Sequence, residues 1–379
     1  MIVNEDRFFL SHRKDIALSA QREGWNIIIV CKDTGRRKEV EALGLTMIEL
    51  PINPTGTNLK EELRTFWFLL RLYRRHQPDI VHHVGLKNIL WGGLAAKLAS
   101  VKGVVNAVSG LGILFSDEHF GLRGKAVLSV MKFSNHRKNV ALIFQNMEDT
   151  NLFLQRGIAV QSQCNFTKGS GVNLDEYCYT PEPATLPIRI IFTARMVKEK
   201  GIYTFIQAAE QLRKEMEDKA CFLLCGGLSN NPDGIKGDEL MGLCDGKYIQ
   251  WMGFRSDVKE LLMESHIMVL PSYYREGIPR SLIEACAIGR PIVTTNSIGC
   301  KDTVDDGVNG FLIPIKDSVA LADKLRILID NKTLRCTMGQ ASRLKAEKEF
   351  SLEKVVSKHM EIYRQLSGET PPVTSPVSS

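Results

Sequence analysis

The amino-acid sequence predicts an α/β protein with two domains, each containing a parallel β-sheet. Strand-like apolar runs alternate with segments of helical periodicity along the chain, which is typical of parallel strands connected by helices. The chain has 379 residues, more than a single hydrophobic core usually supports. A proline-rich stretch interrupts the alternation near the middle of the sequence, and we place the domain boundary there.

Four candidate strands and two candidate helices occupy the first half of the chain. Residues 26–31 contain a continuous β-branched run, as expected of a strand with both faces buried. The other apolar runs and periodic segments of this half predict strands at 79–83, 104–108 and 141–144 and helices at 58–76 and 122–138. We expect this N-terminal, Rossmann-like domain to extend over residues 1–180.

The alternation restarts after a break at residues 180–187, where three prolines cannot continue a helix and favour an extended linker. The second half predicts strands at 188–194, 220–225, 248–252, 267–270 and 291–295 and helices at 202–216, 256–264 and 281–288. We therefore expect a linker over 181–187 and a second Rossmann-like domain over 188–350.

Two C-terminal segments complete the predicted organisation. A last helix is expected over residues 351–366, and in a two-domain protein it can return to pack on the N-terminal domain. Residues 367–379 are small, polar and rich in proline, so we expect them to be disordered.

Composition and short motifs exclude several classes of protein. No apolar run approaches the roughly 18 residues that span a bilayer, and residues 1–9 lack the features of a signal peptide, so a cytoplasmic location is expected. The nine cysteines are scattered without a Cys-x-x-Cys pair, which indicates reduced, buried thiols. Walker A, Gly-x-Ser-x-Gly and zinc motifs are absent, and no basic patch with interleaved aromatic residues indicates nucleic-acid binding.

The excess positive charge lies in the first half of the chain. Residues 1–180 contain 23 Lys and Arg against 17 Asp and Glu, whereas residues 181–379 contain 26 of each class. This bias suits an anionic lipid surface or a phosphate-linked acceptor, and it also favours solubility. Two basic and apolar helical segments, 63–75 and 122–138, could lie on an anionic membrane or face the core with hydrated outer sides.

Two cationic residues follow the predicted strand 188–194. Arg195 stands at the strand end, and Lys200 precedes a helix that Gly201 opens. Because the free N–H groups of a helix N-terminus favour anions, these two charges suit a diphosphate. A solvated basic loop is the alternative interpretation.

Two carboxylates, eight positions apart, follow the predicted strand 267–270. Glu276 lies in a turn with Gly277, and Glu284 is expected on the first turn of a helix that begins near Ser281. A carboxylate accepts two hydroxyl groups at once, so this pair suits the vicinal diols of a sugar and a ribose. The alternative is a solvated loop acid together with a glutamate that interacts favourably with the helix dipole.

These motifs resemble the retaining glycosyltransferases of family 4, whose GT-B fold has two Rossmann-like domains facing each other across a cleft. The resemblance rests on Arg-x4-Lys-Gly at 195–201 and Glu-x7-Glu at 276–284, followed by the segments 289–295 and 306–312. Residues 8–13 and the Gly-Leu-Gly at 110–112 resemble a subset of the family that acts in bacterial surface-polysaccharide assembly.

The resemblance implies a hexosyl- or N-acetylhexosaminyltransferase that uses a nucleotide sugar, with UDP as the expected carrier. Its acceptor would be a glycan or a polyprenyl-linked glycan, and it could bind peripherally to the inner face of the cell membrane. Arg195 and Lys200 would neutralise the donor diphosphate, and Glu276 would hold hydroxyls of the donor sugar. The other implied donor-binding residues are Gly277, Ile278, Glu284 at the ribose diol and Arg255 near the base.

The resemblance also implies front-face attack, in which the leaving phosphate helps to deprotonate the acceptor. Arg195 and Lys200 would then meet negative charge that grows in the transition state, and neither a metal nor another cofactor is expected. The pair Asp305-Asp306 is better explained by turn formation than by metal binding.

Three residues are candidates for the acceptor side of the site. Ser109 stands where many family members carry a histidine, and His12 could compensate for it. His83 ends a predicted strand and either contacts the acceptor or has a structural role.

Two positions depart from the family pattern. Residues 3–9, predicted as the first strand–helix loop, lack the glycine pair of many family members. Pro279 has no N–H group to offer the donor sugar.

Other functions on the same two-domain plan remain open. A nucleotide-sugar epimerase of the GT-B fold would isomerise its donor in the absence of an acceptor, and a phosphorylase would need a lysine-bound pyridoxal cofactor. A non-catalytic partner subunit would bind a nucleotide sugar without turnover. The intact set of Arg195, Lys200, Glu276 and Glu284 disfavours the non-catalytic interpretation, because pure binding would tolerate their loss more easily.

Overall fold

The computed structural model describes residues 1–54, 56, 58–111, 121–229 and 234–368, apart from the side chains at positions 122 and 123. The chain forms two compact units. The first comprises residues 1–170 together with those from 353 onward, and the second comprises residues 171–352. Each unit contains a parallel β-sheet flanked by helices, so the predicted α/β class is confirmed.

The first unit contains a seven-stranded sheet in which all neighbouring strands are parallel. Its strands are β1 (Ile2–Glu5), β2 (Ile28–Lys32), β3 (Thr46–Glu49), β4 (Ile80–Val84), β5 (Gly103–Ala107), β6 (Val140–Phe144) and β7 (Cys164–Phe166). The spatial order is β3-β2-β1-β4-β5-β6-β7, so the winding reverses between β1 and β4. Ligands of such sheets bind at this reversal, beyond the carboxyl ends of the strands.

The helices of the first unit connect these strands. They are α1 (Asp6–His12), α2 (Lys14–Arg22), α3 (Arg37–Ala42), α4 (Leu59–His76), α5 (Leu86–Leu98), α6 (Leu122–Asn135) and α7 (Met147–Gln155). Helix α4 is amphipathic, with Phe66, Leu69 and Tyr73 buried at helical spacing. The Asn58 side chain caps its N-terminus by accepting a hydrogen bond from Lys60 N at 3.0 Å.

The second unit contains a six-stranded sheet that is also parallel throughout. Its strands are β8 (Ile188–Thr193), β9 (Ala220–Cys225), β10 (Ile249–Trp251), β11 (Ile267–Leu270), β12 (Ile292–Thr295) and β13 (Gly310–Ile313). The order is β10-β9-β8-β11-β12-β13, with the reversal between β8 and β11. Every residue of β9, β11 and β12 is buried, which explains the uninterrupted apolar sequences of β9 and β11.

The helices of the second unit connect and follow the strands of its sheet. They are α8 (Ile202–Met216), α9 (Gly237–Gly242), α10 (Val258–Met263), α11 (Arg280–Ile288), α12 (Ser318–Asp330) and α13 (Lys332–Lys345). Helix α11 is buried at every position from Leu282 to Ile288, so its side chains are fixed by the surrounding core.

The last helix, α14 (Leu352–Ser367), packs on the first unit. Val355 and Met360 are buried with residues of α2, β5 and β6 in one apolar cluster. At the helix end, Arg364 Nη2 donates to Glu23 Oε1 at 2.7 Å. No helix among the residues that the structure describes is both long and apolar enough to span a bilayer.

The change from one unit to the other differs in position from the predicted linker. The chain enters the second unit at Gly171, and the proline-rich residues 181–187 belong to that unit. Two buried arginines hold this segment: Arg335 forms hydrogen bonds of 2.7 and 2.8 Å to the Glu182 carboxylate, and Arg290 donates to Thr180 O at 2.9 Å. A proline count predicts an extended backbone but does not reveal what the backbone packs against.

Two local predictions are corrected. Residues 3–9 are not a loop, because β1 leads directly into α1. The buried Asp6 carboxylate at the start of α1 accepts hydrogen bonds from the backbone N–H groups of Arg7, Thr34 and Arg36. Helix α6 ends at Asn135 instead of 138, because the Asn135 carbonyl oxygen accepts a hydrogen bond from Gln163 Nε2 at 2.8 Å.

Two predictions concern parts of the chain outside the described residues. The Gly-Leu-Gly motif at 110–112 is described only as far as Leu111, and the C-terminal segment predicted to be disordered is described only through residue 368.

Candidate functional site

The reversal in the second sheet brings the two predicted polar loops together. Strands β8 and β11 are neighbours, with Ile190 opposite Ile267. The loop with Arg195 and Lys200 leaves the carboxyl end of β8, and the loop with Glu276 leaves the carboxyl end of β11. Because the strands are parallel, both loops lie at the same edge of the sheet, where open α/β sheets bind their ligands.

Gly201 allows the first loop to approach the second closely. Its φ of +83° is left-handed, and a Cβ atom at this position would lie 2.0 Å from Pro271 O. The approach is held by a hydrogen bond to Glu199 O from Tyr273 N at 2.9 Å. The turn before Gly201 is therefore fixed against the second loop.

Lys200 and Glu276 form an ion pair at this contact. Lys200 Nζ donates to Glu276 Oε2, and the two side chains are 14% and 11% exposed. Glu276 Oε1 accepts a hydrogen bond from Ser272 Oγ at 2.7 Å. Both carboxylate oxygens are engaged, and each retains a lone pair for one more donor.

The backbone around Gly277 is fixed by the connection that follows β12. Ser297 Oγ donates to Ser272 O at 2.9 Å, and Thr295 Oγ1 donates to the same oxygen. Gly299 has a φ of +84°, and a Cβ atom there would lie 2.0 Å from Gly277 O. Gly277 and Ile278 are buried beneath these contacts, so their backbone groups have a defined direction.

Arg195 lies within electrostatic range of Tyr274, as Glu276 does. Burial raises the pKa of the neighbouring Tyr274, the charge of Glu276 raises it further, and the charge of Arg195 lowers it. Both charges thus act on one phenol. Arg195 itself is exposed, and its guanidinium makes no ion pair with the residues that the structure describes.

Glu284 lies on the second turn of α11 and not on the first, because this helix begins at Arg280. Its Oε1 accepts hydrogen bonds from Tyr177 OH at 3.0 Å and from Arg280 Nε at 2.7 Å. The Glu284 side chain is 11% exposed. Burial and the charge of Glu284 both raise the pKa of Tyr177, so the phenol is protonated and acts as the donor.

Arg255, predicted near the base of the donor, follows β10. Its Nε donates to Asp257 Oδ1 at 2.8 Å, so its charge is already compensated. The adjacent Phe254 is 73% exposed, and a Cβ atom at Gly227, after β9, would lie 3.4 Å from it. The carboxyl ends of β9 and β10 therefore present an exposed aromatic face beside a glycine, an arrangement suited to a flat ring.

The structure does not bring His83 to an accessible surface. Its ring is buried in β4, where Nδ1 donates to Asn106 Oδ1 and Nε2 accepts from Tyr73 OH, both at 2.8 Å. Burial lowers the pKa of His83 to about 4, so the ring is neutral near pH 7. The neighbouring His82 is also buried, and its Nδ1 lies 2.6 Å from Tyr363 OH. Of the roles left open for His83, these contacts support the structural one.

The other acceptor-side candidates lie on two connections of the first sheet. His12 is the last residue of α1, and its ring stacks on Phe8 with 4.2 Å between centroids. Its Nδ1 lies 2.7 Å from Ser11 Oγ. Ser109 follows β5 and is half-buried.

Asp305 and Asp306 have structural partners. Asp305 Oδ1 accepts from Lys345 Nζ at 2.9 Å, and Asp306 Oδ1 accepts from Leu312 N at 2.9 Å. Across the described parts of the chain, no group of three or more His, Cys, Asp and Glu side chains is arranged to hold a metal ion.

Three residues that position the two glutamates were not predicted from the sequence. Arg280 could have been predicted, because a spacing of four residues before Glu284 is that of a helical ion pair. Ser272 lies in an irregular loop, where sequence spacing does not predict contact. Tyr177 is separated from Glu284 by 107 residues, and no local pattern connects them.

Two family models match the chain, one in each unit. The model described as "Glycosyl transferase 4-like" matches residues 1–146. The model described as "Glycosyl transferases group 1" matches residues 187–331.

Two relatives are similar over most of their length. An N,N'-diacetylbacillosaminyl-diphospho-undecaprenol alpha-1,3-N-acetylgalactosaminyltransferase of Campylobacter jejuni is 28% identical over 328 residues, covering 83% of this chain and 84% of the relative. A UDP-Gal:alpha-D-GlcNAc-diphosphoundecaprenol alpha-1,3-galactosyltransferase of Escherichia coli is 24% identical over 353 residues, covering 90% and 89%.

A solved structure shares the fold. The Anabaena protein Alr3699/HepE, in complex with UDP, superposes with a TM-score of 0.74 and 18% identity, covering 93% of this chain and 94% of that chain. At this level of identity the likeness establishes the fold.

Proposed function

This chain belongs to the family 4-like glycosyltransferases with the GT-B fold, and we propose that it is a retaining enzyme that transfers a sugar from a UDP-sugar to a polyprenyl-linked glycan in surface-polysaccharide assembly. The observation that carries the proposal is the ion pair of Lys200 with Glu276 at the reversal of the second sheet, with Arg195 exposed on the same loop as Lys200. Two cations and a partly saturated carboxylate at a strand-to-helix edge suit a sugar diphosphate.

The comparisons support the donor and acceptor classes. The Escherichia coli relative is named for a UDP-galactose donor, and both relatives are named for acceptors linked through diphosphate to undecaprenol. The structural neighbour binds UDP. The donor sugar itself depends on the shape around Glu276, and these names differ in the sugar transferred.

Arg195 and Lys200 are the groups that we assign to the donor diphosphate. Arg195 is exposed and has no ion-pair partner among the described residues, so its charge is available to a ligand. Lys200 is already paired with Glu276, and a diphosphate would share its ammonium group. Both charges would stabilise the negative charge that grows on the leaving phosphate, which is the contribution that lowers a reaction barrier.

Glu276 is the group that we assign to the hydroxyls of the donor sugar. Lys200 and Ser272 fix its two oxygens, so the carboxylate cannot rotate freely when the sugar binds. A fixed acceptor positions the anomeric carbon relative to the attacking hydroxyl, and such positioning contributes strongly to rate. On the acceptor side, His12 and Ser109 remain the candidates, and His83 is not carried forward.

We further propose that helix α4 contacts an anionic membrane. Arg64, Arg71, Arg74 and Arg75 are exposed on this helix, and none of them has an acidic partner among the described residues. Between them Trp67 is 52% exposed. Basic and apolar groups on one helix suit the interface of an anionic bilayer, and helix α6 carries further basic residues.

Liposome flotation tests the membrane proposal. We expect the protein to float with vesicles that contain phosphatidylglycerol at low salt, and the variant Trp67→Ala to float less. Equal partition with neutral and anionic vesicles, or none with either, would contradict the proposal.

A transfer assay tests the proposed reaction. The protein is incubated with individual UDP-sugars and a short-chain polyprenyl diphosphate glycan, in excess chelator, and the product is analysed by NMR. We expect a new glycosidic bond whose anomeric configuration equals that of the donor. An inverted product would contradict retention, dependence on added metal would contradict the metal-free reaction, and donor isomerisation without acceptor would instead identify an epimerase.

A further inference from the structure

The carboxylate of Glu284 is held by two residues from different parts of the second unit. Tyr177 OH and Arg280 Nε both donate to Oε1, at 3.0 and 2.7 Å. A carboxylate oxygen has two lone pairs in its plane, so Oε1 is saturated. Oε2 accepts no hydrogen bond from any described residue and is the oxygen left for a ligand.

Tyr177 is itself fixed in the segment through which the chain enters the second unit. Its N–H donates to Asn173 O at 2.9 Å, and its carbonyl accepts from Arg343 Nη1 at 2.8 Å. The same Arg343 nitrogen donates to Ala287 O, near the end of α11, at 2.9 Å. The phenol is thereby tied to the helix that carries Glu284.

Arg280 supplies the charge that makes this arrangement possible. A buried carboxylate without a compensating charge is costly, and Arg280 is four residues from Glu284 on the same helix. Tyr177 adds a neutral donor from outside the helix. The two donors approach the same atom, so they select one rotation of the carboxylate and leave the opposite oxygen unoccupied.

We propose that Tyr177 and Arg280 are positioning residues for the donor nucleotide, which orient Glu284 so that Oε2 alone accepts the hydroxyl groups of the ribose. This inference rests on the proposed function, in which Glu284 faces the ribose of a UDP-sugar. It adds that ribose recognition uses a single carboxylate oxygen and depends on a phenol outside α11.

Calorimetric titration with two nucleotides tests the inference. The probes are UDP and 2′,3′-dideoxy-UDP, which lacks the ribose hydroxyls, and the variant is Tyr177→Phe. Because the phenol is one of two donors that fix the carboxylate, we expect about 5-fold weaker binding of UDP by this variant. Binding of the dideoxy nucleotide is expected to change by less than about 2-fold, since it has no hydroxyl for Oε2 to accept.

Tyr248→Phe is the matched control. Tyr248 is a buried tyrosine of the same unit whose hydroxyl donates to Ala209 O at 3.0 Å, so this variant also loses one buried hydrogen bond. We expect its preference for UDP over the dideoxy nucleotide to equal that of the wild type. Arg280→Lys, which keeps the charge but moves the donor, is expected to lose preference for UDP as Tyr177→Phe does.

Steady-state kinetics provides a second readout that a purely structural role would not give. We expect Tyr177→Phe to raise the KM for the donor about 5-fold with kcat unchanged, because the ribose lies away from the reacting bond. Equal weakening of both nucleotides by Tyr177→Phe, or unchanged UDP binding, would overturn the inference while leaving the proposed donor intact. Failure of the wild-type protein to bind UDP would instead overturn the proposed donor, and the inference with it.

Discussion

The two sheets use polar residues at their reversal points in different ways. In the second unit, Lys200 and Glu276 keep 14% and 11% of their side chains exposed, and Glu276 retains lone pairs for further donors. In the first unit, the β4 residue His83 is fully buried, and both ring nitrogens are bonded to Tyr73 and Asn106. The residue types alone would allow chemistry at both places. Burial and saturation of hydrogen-bonding capacity separate a site that can bind a ligand from a network that stabilises a fold.

The largest fall in kcat is expected from Lys200→Ala. This change removes one cation from the proposed diphosphate site and also leaves Glu276 without its ion-pair partner. By analogy with oxyanion-stabilising donors, we expect kcat to fall about 100- to 1,000-fold, or about 3–4 kcal/mol. Transfer kinetics at saturating donor measures it, with Lys219→Ala as the control, because Lys219 forms an exposed ion pair with Asp330. A kcat within about 3-fold of the wild type would contradict the role of Lys200.

His83→Ala is expected to lower the stability of the fold and to leave kcat nearly unchanged. The change leaves Tyr73 OH and Asn106 Oδ1 without their buried partner, so we expect a loss of about 3 kcal/mol in the free energy of unfolding. The folded variant should keep a kcat within about 2-fold of the wild type. Urea unfolding followed by tryptophan fluorescence measures the loss, because Trp25, Trp67 and Trp91 lie in the first unit. A large fall in kcat at unchanged stability would place His83 in the reaction and erase the contrast.

The first unit should also lose stability in acid through His83. Its folded pKa of about 4 lies below the ordinary value of 6.5, so the unfolded chain binds the proton first, and this stability is lost as the pH falls from 6.5 towards 4. Between pH 7 and 4.5 we expect this histidine to account for about 2 kcal/mol. Comparison of urea unfolding for the wild type and His83→Gln at both pH values isolates its contribution. Identical pH dependence in the two proteins would show that His83 does not titrate on unfolding.

A smaller effect is expected from Ser272→Ala. Glu276 would keep Lys200 but lose the hydrogen bond that fixes Oε1, so the donor sugar would be held less well. We expect kcat to fall about 10-fold, or about 1.4 kcal/mol, with little change in stability. Kinetics at saturating donor measures the change, and Ser129→Ala, an exposed serine on α6, is the control. Unchanged turnover would mean that the Lys200 contact alone fixes Glu276.

The α/β class could be predicted because the apolar periodicities of strands and helices are local. Strand β1 escaped prediction, since four residues with only two buried positions give little pattern. The sequence predicted that Lys200 and Glu276 each follow a strand of the second half, but their ion pair depends on the close approach at Gly201, which no spacing encodes. Tyr177 meets Glu284 across 107 residues, and His83 is bonded to Tyr73 of α4 and Asn106 of β5. Contacts of this kind are set by tertiary packing.

Hydrogen–deuterium exchange with and without a UDP-sugar tests the central claim most directly, because it locates the ligand on the chain without any substitution. We expect bound UDP-sugar to slow exchange in the peptides that contain residues 195–201 and 272–284, and to leave residues 80–88 of the first sheet unchanged. Protection confined to the first unit, with none at either loop of the second sheet, would contradict the account.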